Sequence, residues 1–155
     1  MRKAMLFLTV FALVGSIWAA DPSVGTWKRN LAKSKPAPST QAPIKEQTYV
    51  IREVGDQWEL TTTTTRTDGS STSVTYTRPK QGGVVKAQPP LSGGQSYIDT
   101  VLEPGNWYLT VMQEGKQVSL NHGVISKDGK TMTMTTKGTD AQGKPSESLG
   151  VFDRQ

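Results

Sequence analysis

The sequence predicts one small all-β domain behind a short N-terminal leader. Pairs of turn-forming residues recur at short, regular intervals along the chain. The segments between these pairs are rich in Thr, Val, Tyr, Trp and Ile, whose branched or aromatic side chains suit a pleated strand. After residue 20, no segment combines helical apolar spacing with helix caps. The turn pairs are Gly55-Asp56, Asp68-Gly69, Gly82-Gly83, Gly93-Gly94, Pro104-Gly105, Glu114-Gly115, Asp128-Gly129 and Gln142-Gly143.

The leader covers residues 1–20 and has the layout of a bacterial signal peptide. Arg2 and Lys3 precede an uncharged apolar run, and small residues follow it. We expect an N-terminal signal helix that is cleaved after Ala19 or Ala20, so that the mature protein is periplasmic or secreted and keeps no membrane anchor. The alternative is an uncleaved anchor helix, although the run is shorter than the roughly 20 apolar residues that span a bilayer.

Composition sets limits on the domain formed by residues 21–155. About 135 residues suit a single hydrophobic core. The chain has no cysteine, which excludes disulfides and thiolate chemistry. Loss of Arg2 and Lys3 lowers the formal net charge from +5 to +3, because 16 basic residues then face 13 acidic ones. The charges are dispersed, so we expect no binding of nucleic acid. We also expect a monomer. Aromatic residues on a basic β-protein leave single-stranded nucleic acid as an alternative, against which export argues.

Ten strands are predicted, and their short connections indicate an antiparallel meander. A proline-rich stretch from Leu31 to Pro43 has little strand or helix potential, so it is predicted to be a loop across one end of the domain, either functional or a passive connector. The predicted strands are Val24–Arg29, Lys45–Val54, Gln57–Thr67, Thr72–Arg78, Val84–Ala87, Gln95–Glu103, Asn106–Gln113, Lys116–Ser126, Thr131–Lys137 and Glu147–Asp153.

Alternation along the strands predicts which side chains face inward, because neighbouring strand residues point to opposite sides of a sheet. Several of the predicted inward rows mix polar with apolar residues. A barrel with some interior water tolerates such rows better than a dry sandwich core does. The predicted inward sets are Trp58, Leu60, Thr62 and Thr64; Trp107, Leu109 and Val111; Val118, Leu120, His122 and Val124; and Met132 with Met134.

Gly25-Thr26-Trp27 on the first strand and Phe152-Asp153-Arg154 at the end of the chain resemble a lipocalin. In that family, a Gly-x-Trp motif closes one end of the barrel, and a basic residue from the end of the domain packs over the indole. The resemblance implies an antiparallel lipocalin-like barrel of 8–10 strands, with structural roles for Trp27 and Arg154. Residues 25–35, 126–131 and 135–145 are also similar to small secreted bacterial lipocalin-like proteins of an uncharacterised family, which implies a fold and a compartment but no activity.

The sequence offers little for catalysis. His122 is the only histidine, and no Gly-x-Ser-x-Gly motif accompanies it. We expect it to be a hydrogen-bonded interior residue; the alternatives are a haem ligand, with Met132 or Met134 as partner, and the base of an enzyme. Asp99 and Glu103 bracket the end of a predicted strand, and we expect both to be solvated. No metal or cofactor is predicted.

These observations favour a non-enzymatic binding protein for a small hydrophobic ligand. A small barrel can enclose such a ligand among aromatic and aliphatic side chains. The alternative is a barrel with a filled core that acts through its surface as an envelope interaction or inhibitory module. The predicted ligand-binding residues are Trp58, Leu60, Trp107, Leu109, Leu120, His122, Met132 and Met134.

Overall fold

The structure, a computed structural model, describes residues 21–39, 41–90, 93–139 and 143–155. Ten strands are present in this part of the chain, and each lies within two residues of a predicted one. They are β1 (Gly25–Arg29), β2 (Ile44–Val54), β3 (Gln57–Arg66), β4 (Ser71–Pro79), β5 (Gly83–Gln88), β6 (Gln95–Glu103), β7 (Asn106–Gln113), β8 (Lys116–Ile125), β9 (Thr131–Thr139) and β10 (Pro145–Arg154).

The strands form one closed antiparallel barrel. Each strand pairs with the next along the chain, and β1 pairs with both β2 and β10 to close the ring. Closure gives every strand a neighbour on both sides, and the pairing is short around β5, which pairs over three positions with β4 and three with β6. The predicted all-β meander and barrel are thus confirmed. The expected signal helix lies outside the described residues, and within them no helix is long and apolar enough to cross a membrane.

Trp27 plugs one end of the barrel, called here the closed end. Its side chain is 0% exposed, and its indole Nε1 donates a hydrogen bond to the carbonyl of Ser23 at 2.8 Å. The guanidinium carbon of Arg154 lies 4.2 Å from the centroid of the indole ring. Burying a large aromatic while satisfying its one polar group is favourable on both counts. The core cluster around it contains Ile51, Trp107, Met132 and Phe152.

Arg154 also ties the closed end together by hydrogen bonds. Its guanidinium donates to the carbonyls of Pro22, Val24 and Gly129, which belong to the N-terminal segment and to the β8–β9 turn. Gly25 has a φ of 139°, and a Cβ there would lie 2.6 Å from Nη1 of Arg154. A glycine two residues before Trp27 therefore makes room for the arginine that covers it.

The first part of the predicted proline-rich loop runs beside β10. The amide of Asn30 donates to the carbonyl of Val151 at 2.8 Å, and Lys35 exchanges two backbone hydrogen bonds of 2.8 Å with Leu149. The hydroxyl of Ser34 accepts a hydrogen bond from the amide of Val151 at 3.0 Å. These contacts extend the pairing of β1 with β10 beyond the end of β1.

A bulge in β8 changes which of its side chains point inward. Val111 of β7 pairs with Ser119, but Met112 pairs with Gln117, so Val118 is an extra residue without a partner on β7. One extra residue reverses the alternation on its far side. The prediction that Leu120, His122 and Val124 share the interior face with Val118 is therefore wrong.

Candidate ligand-binding cavity

The barrel encloses a cavity of about 700 Å³ that is partly open to solvent. Ligand sites in proteins typically measure about 300–1,000 Å³. Because Trp27 seals the closed end, access is from the opposite end, called here the open end. The interior is therefore not filled with side chains, which contradicts the alternative of a solid barrel.

The part of the cavity nearest the closed end is apolar. The residues that line this part of the cavity either belong to the core cluster around Trp27 or pack against it. The Trp107 ring packs against β8 at its partner residue Gly123. A Cβ on residue 123 would come closer than 3.0 Å to two carbons of the indole ring, so the glycine leaves the space that the ring occupies. The apolar lining residues at this end are Ile51, Leu60, Trp107, Met132 and Met134.

Towards the open end, the lining becomes polar but carries no charge. Gln47 and Thr64 are both buried, and Nε2 of Gln47 donates to the hydroxyl of Thr64 at 2.9 Å. The side-chain Nδ2 of Asn121 donates a hydrogen bond to the backbone carbonyl of Leu109 at 3.1 Å. Hydroxyl and amide groups of this kind can orient a ligand by hydrogen bonding. The uncharged polar lining residues are Gln47, Thr62, Thr64, Thr72, Gln95, Gln113, Ser119, Asn121 and Thr139.

Arg29 supports this polar region, although its own side chain does not line the cavity. Its Nη1 donates to Oε1 of Gln47 at 2.9 Å, and its guanidinium lies 5.8 Å from the centroid of the Phe152 ring. Burial lowers the pKa of Arg29, and the nearby Tyr49 phenol opposes that shift. Within the described residues, its Nε has no hydrogen-bond partner. Arg29 therefore fixes the orientation of the Gln47 amide.

Three tyrosines, Tyr49, Tyr76 and Tyr97, contribute phenols to the cavity wall. The rings of Tyr76 and Tyr97 are 5.7 Å apart between centroids, and Tyr49 packs on Phe152 at 4.5 Å. Burial raises the pKa of all three, that of Tyr76 to about 12, because the ionised phenolate loses its hydration. The phenols therefore stay neutral at physiological pH and can donate hydrogen bonds.

One ion pair, Arg78 with Asp99, lies in the cavity wall. Nη1 of Arg78 donates to both carboxylate oxygens of Asp99 at 2.8 Å, and the two side chains are 10% and 0% exposed. The Arg78 guanidinium also lies 5.3 Å from the centroid of the Trp107 ring. Burial raises the pKa of the Asp99 carboxyl, and the adjacent Arg78 opposes that shift. The expectation that Asp99 is solvated is wrong, because its side chain points into the barrel and pairs there with Arg78.

Five of the eight residues predicted to bind ligand line this cavity, namely Leu60, Trp107, Leu109, Met132 and Met134. Trp58 is buried, with 6% of its surface exposed, but it is not a lining residue. Its ring lies 5.4 Å from the ammonium of Lys80. Trp58 is therefore buried without forming part of the cavity wall.

Leu120 and His122, also predicted to bind ligand, face outward as a consequence of the bulge in β8. They line a separate depression on the outer surface together with Tyr108, Thr135 and Lys137. The His122 ring stacks on Tyr108 at 4.4 Å, and its Nε2 is 2.9 Å from Oδ1 of Asn106. Met132 lines the cavity on the other side of the wall, as Met134 does, so neither methionine can share a haem with His122.

The tyrosines and the Arg78–Asp99 pair are the site residues that sequence reasoning missed. Alternation contains the signal for them, since every second residue of β4 and of β6 lines the cavity. On β4 these are Thr72, Val74, Tyr76 and Arg78, and on β6 they are Gln95, Tyr97 and Asp99.

In the described ranges, no group of three or more His, Cys, Asp or Glu side chains is placed to hold a metal ion.

Solved structures similar to this barrel include a lyase, a bile acid-binding protein and a siderocalin. An S-type phycobiliprotein lyase from Guillardia theta has a TM-score of 0.57 at 12% identity, covering 86% of this chain and 89% of the lyase. Zebrafish ileal bile acid-binding protein, complexed with cholic acid, has a TM-score of 0.47 at 12% identity, covering 86% and 99%. The siderocalin Ex-FABP, described as having dual ligand specificities, has a TM-score of 0.40 at 11% identity, covering 86% and 71%.

The likeness to the lyase, which has the TM-score above 0.5, shows a shared fold and nothing narrower. The chain is a closed barrel of ten antiparallel strands with a lipocalin-like fold. Neither the known protein families nor the curated protein sequences give a match to it. What the barrel does must therefore be argued from its own cavity.

Proposed function

We propose that this protein is exported from a bacterial cell and binds a small hydrophobic molecule in its barrel cavity, without catalysing a reaction. The observation that carries the proposal is the cavity itself, which has the volume of a ligand site and access from one end. Its apolar inner part accommodates a hydrocarbon portion, and its polar outer part hydrogen-bonds a functional group. Two methionines in the wall allow the apolar part to adapt in shape.

The chemistry of the wall supports binding rather than catalysis. His122 faces away from the cavity. Asp99, which is the carboxylate among the lining residues, is held by Arg78 and cannot act as a free base. Of the described residues, those around the cavity otherwise offer neutral hydroxyl, amide and phenol groups. Hydroxyl and amide groups orient a ligand by hydrogen bonding, and the raised pKa of the three phenols keeps them from acting as bases near neutral pH.

A pair of variants on β3 tests whether the cavity is the binding site. Thr62→Trp places an indole in the cavity, whereas the matched control Thr63→Trp places it on the exposed outer face of the same strand. We expect Thr62→Trp to weaken binding of the fluorescent apolar probe N-phenyl-1-naphthylamine at least about tenfold, and Thr63→Trp to leave it unchanged. Circular dichroism confirms folding of both. Equal affinities for both variants would contradict the proposal.

Material from the native host tests the ligand and export together. Native mass spectrometry of the purified protein is expected to show a co-purifying small molecule that is lost on denaturation. The denatured mass is expected to correspond to a chain that begins at Ala20 or Asp21, recovered from the periplasm or the medium. A full-length mass in the cytoplasmic fraction would contradict export, and a mass without adduct would count against a tightly held ligand.

A further inference from the structure

We infer that the cavity selects an uncharged ligand that carries hydroxyl or carbonyl groups, and that it discriminates against carboxylates and other anions. The inference rests on the proposed binding function and names the class of ligand. It follows from three features of the wall, namely its balanced charge, the burial of its one carboxylate and its neutral hydrogen-bonding groups.

The charges of the wall cancel. Arg78 is the cationic residue and Asp99 the anionic residue among the side chains that line the cavity in the described part of the chain. One guanidinium nitrogen contacts both carboxylate oxygens at 2.8 Å, so the cation is already engaged. Placing an ion in a low-dielectric site is costly unless an opposite charge is available to pair with it. Among the described residues that line the cavity, no charge is left unpaired, and the nearby cation Arg29 stands behind Gln47, to which it donates a hydrogen bond.

An anionic ligand would also meet Asp99. To reach Arg78, a ligand carboxylate must approach the carboxylate that Arg78 already holds, whose side chain is 0% exposed. Two carboxylates that share a buried site repel each other, and one of them must then take up a proton. The pair therefore favours neutral ligands by repelling anions from the one cation in the wall.

The neutral polar groups of the wall suit a neutral ligand. Tyr97 and Tyr76 lie together, with ring centroids 5.7 Å apart, and their phenols hydrogen-bond to each other, which leaves one phenol proton to donate to a carbonyl or hydroxyl oxygen of a ligand. Gln47 is held by Arg29 and Thr64, so its amide is already oriented. Sites that hydrogen-bond a substrate hydroxyl reject analogues lacking it, because their own polar groups are then left unpaired.

Two fluorescent probes of nearly the same shape test the charge preference. N-phenyl-1-naphthylamine is neutral, and 1-anilinonaphthalene-8-sulfonate adds one sulfonate. We expect the wild-type protein to bind the neutral probe at least tenfold more tightly, which corresponds to about 1.4 kcal/mol. In competition against the neutral probe, 1-monododecanoylglycerol is expected to displace it at a concentration at least about tenfold lower than dodecanoate does.

Removal of the negative charge tests the role of the pair. Asp99→Asn keeps the size of the side chain but leaves Arg78 without its counter-charge, so the affinity for the sulfonate probe is expected to rise at least about tenfold. Asp56→Asn makes the same change in net charge at an exposed turn and is expected to change neither affinity. The wild-type comparison tests the inference even if Asp99→Asn fails to fold.

The outcomes separate this inference from the proposed function. If the sulfonate probe or dodecanoate bound as tightly as its neutral counterpart, the inference would be overturned and the proposed function would stand. If Arg29→Gln then abolished that anion binding, Arg29 would be the residue that binds the anion. No change of sulfonate affinity in Asp99→Asn would overturn the role of the ion pair. If neither probe nor competitor bound, the proposed function would fall and the inference with it.

Discussion

Replacing Gly123 by alanine is expected to push Trp107 off the wall and into the cavity. The new Cβ would lie closer than 3.0 Å to Cε2 and Cζ2 of the indole and 2.9 Å from Sδ of Met134. Non-bonded carbon atoms prefer separations of about 3.5–4.0 Å, so the ring must retreat by more than about 0.5 Å. The Met134 side chain can move aside at low cost, but the indole is rigid and buried in the core cluster.

The expected loss of stability follows from overpacking, which typically costs about 1–3 kcal/mol. For a domain of this size we expect a fall in Tm of about 3–12 °C, together with weaker binding of N-phenyl-1-naphthylamine. Trp107→Phe removes the clashing ring edge, so the double variant should recover part of the loss. Denaturant unfolding of the four proteins in a double-mutant cycle measures that coupling. Strictly additive free energies would refute the close contact between Gly123 and Trp107.

The remaining predictions concern the closed end, the tyrosines and the outer face. Arg154→Ala should lower the free energy of unfolding by about 2–4 kcal/mol, and Arg154→Lys should restore only part of it; an unchanged denaturation midpoint would disprove the clamp on Trp27. Because Tyr76 has a pKa of about 12 when folded, against about 10 when unfolded, its contribution to stability is lost as the pH rises through that interval. Absorbance at 295 nm should show a phenol that titrates at about 12 and is missing in Tyr76→Phe. If every phenol of the folded protein titrated near 10, this prediction would be wrong. His122→Ala should leave the affinity for N-phenyl-1-naphthylamine within about twofold of wild type, and a larger loss would contradict the outward orientation of this side chain.

Local sequence features were sufficient to predict the ten strands and their order. A turn such as Asp68-Gly69 requires a backbone that glycine adopts without strain, and Gly69 has a φ of 85°. Regular turns between threonine- and valine-rich segments therefore determined ten strands, and antiparallel pairing of consecutive strands followed from the short connections. Only closure of the ring needed more, because the pairing of β1 with β10 joins opposite ends of the chain.

The site was less predictable because the direction of a side chain depends on pairing as well as on sequence. The bulge at Val118 exists only in relation to β7, so alternation along β8 assigned Leu120 and His122 to the wrong face. Asp99 looked like a surface residue by type, since an unpaired carboxylate is seldom buried. Its burial depends on Arg78, which lies 21 residues earlier and reaches it only in the folded barrel.

The position of both ends of the domain determines how the barrel can be attached to anything else. Pro22 and Val24 lie under the guanidinium of Arg154, and the amide of Gln155 donates to the carbonyl of Thr26 at 2.9 Å. Both ends of the described chain thus emerge beside Trp27. A fusion partner, an affinity tag or a solid support joined at either end would lie on the sealed side, and the protein could be immobilised for binding measurements with its cavity facing the solution.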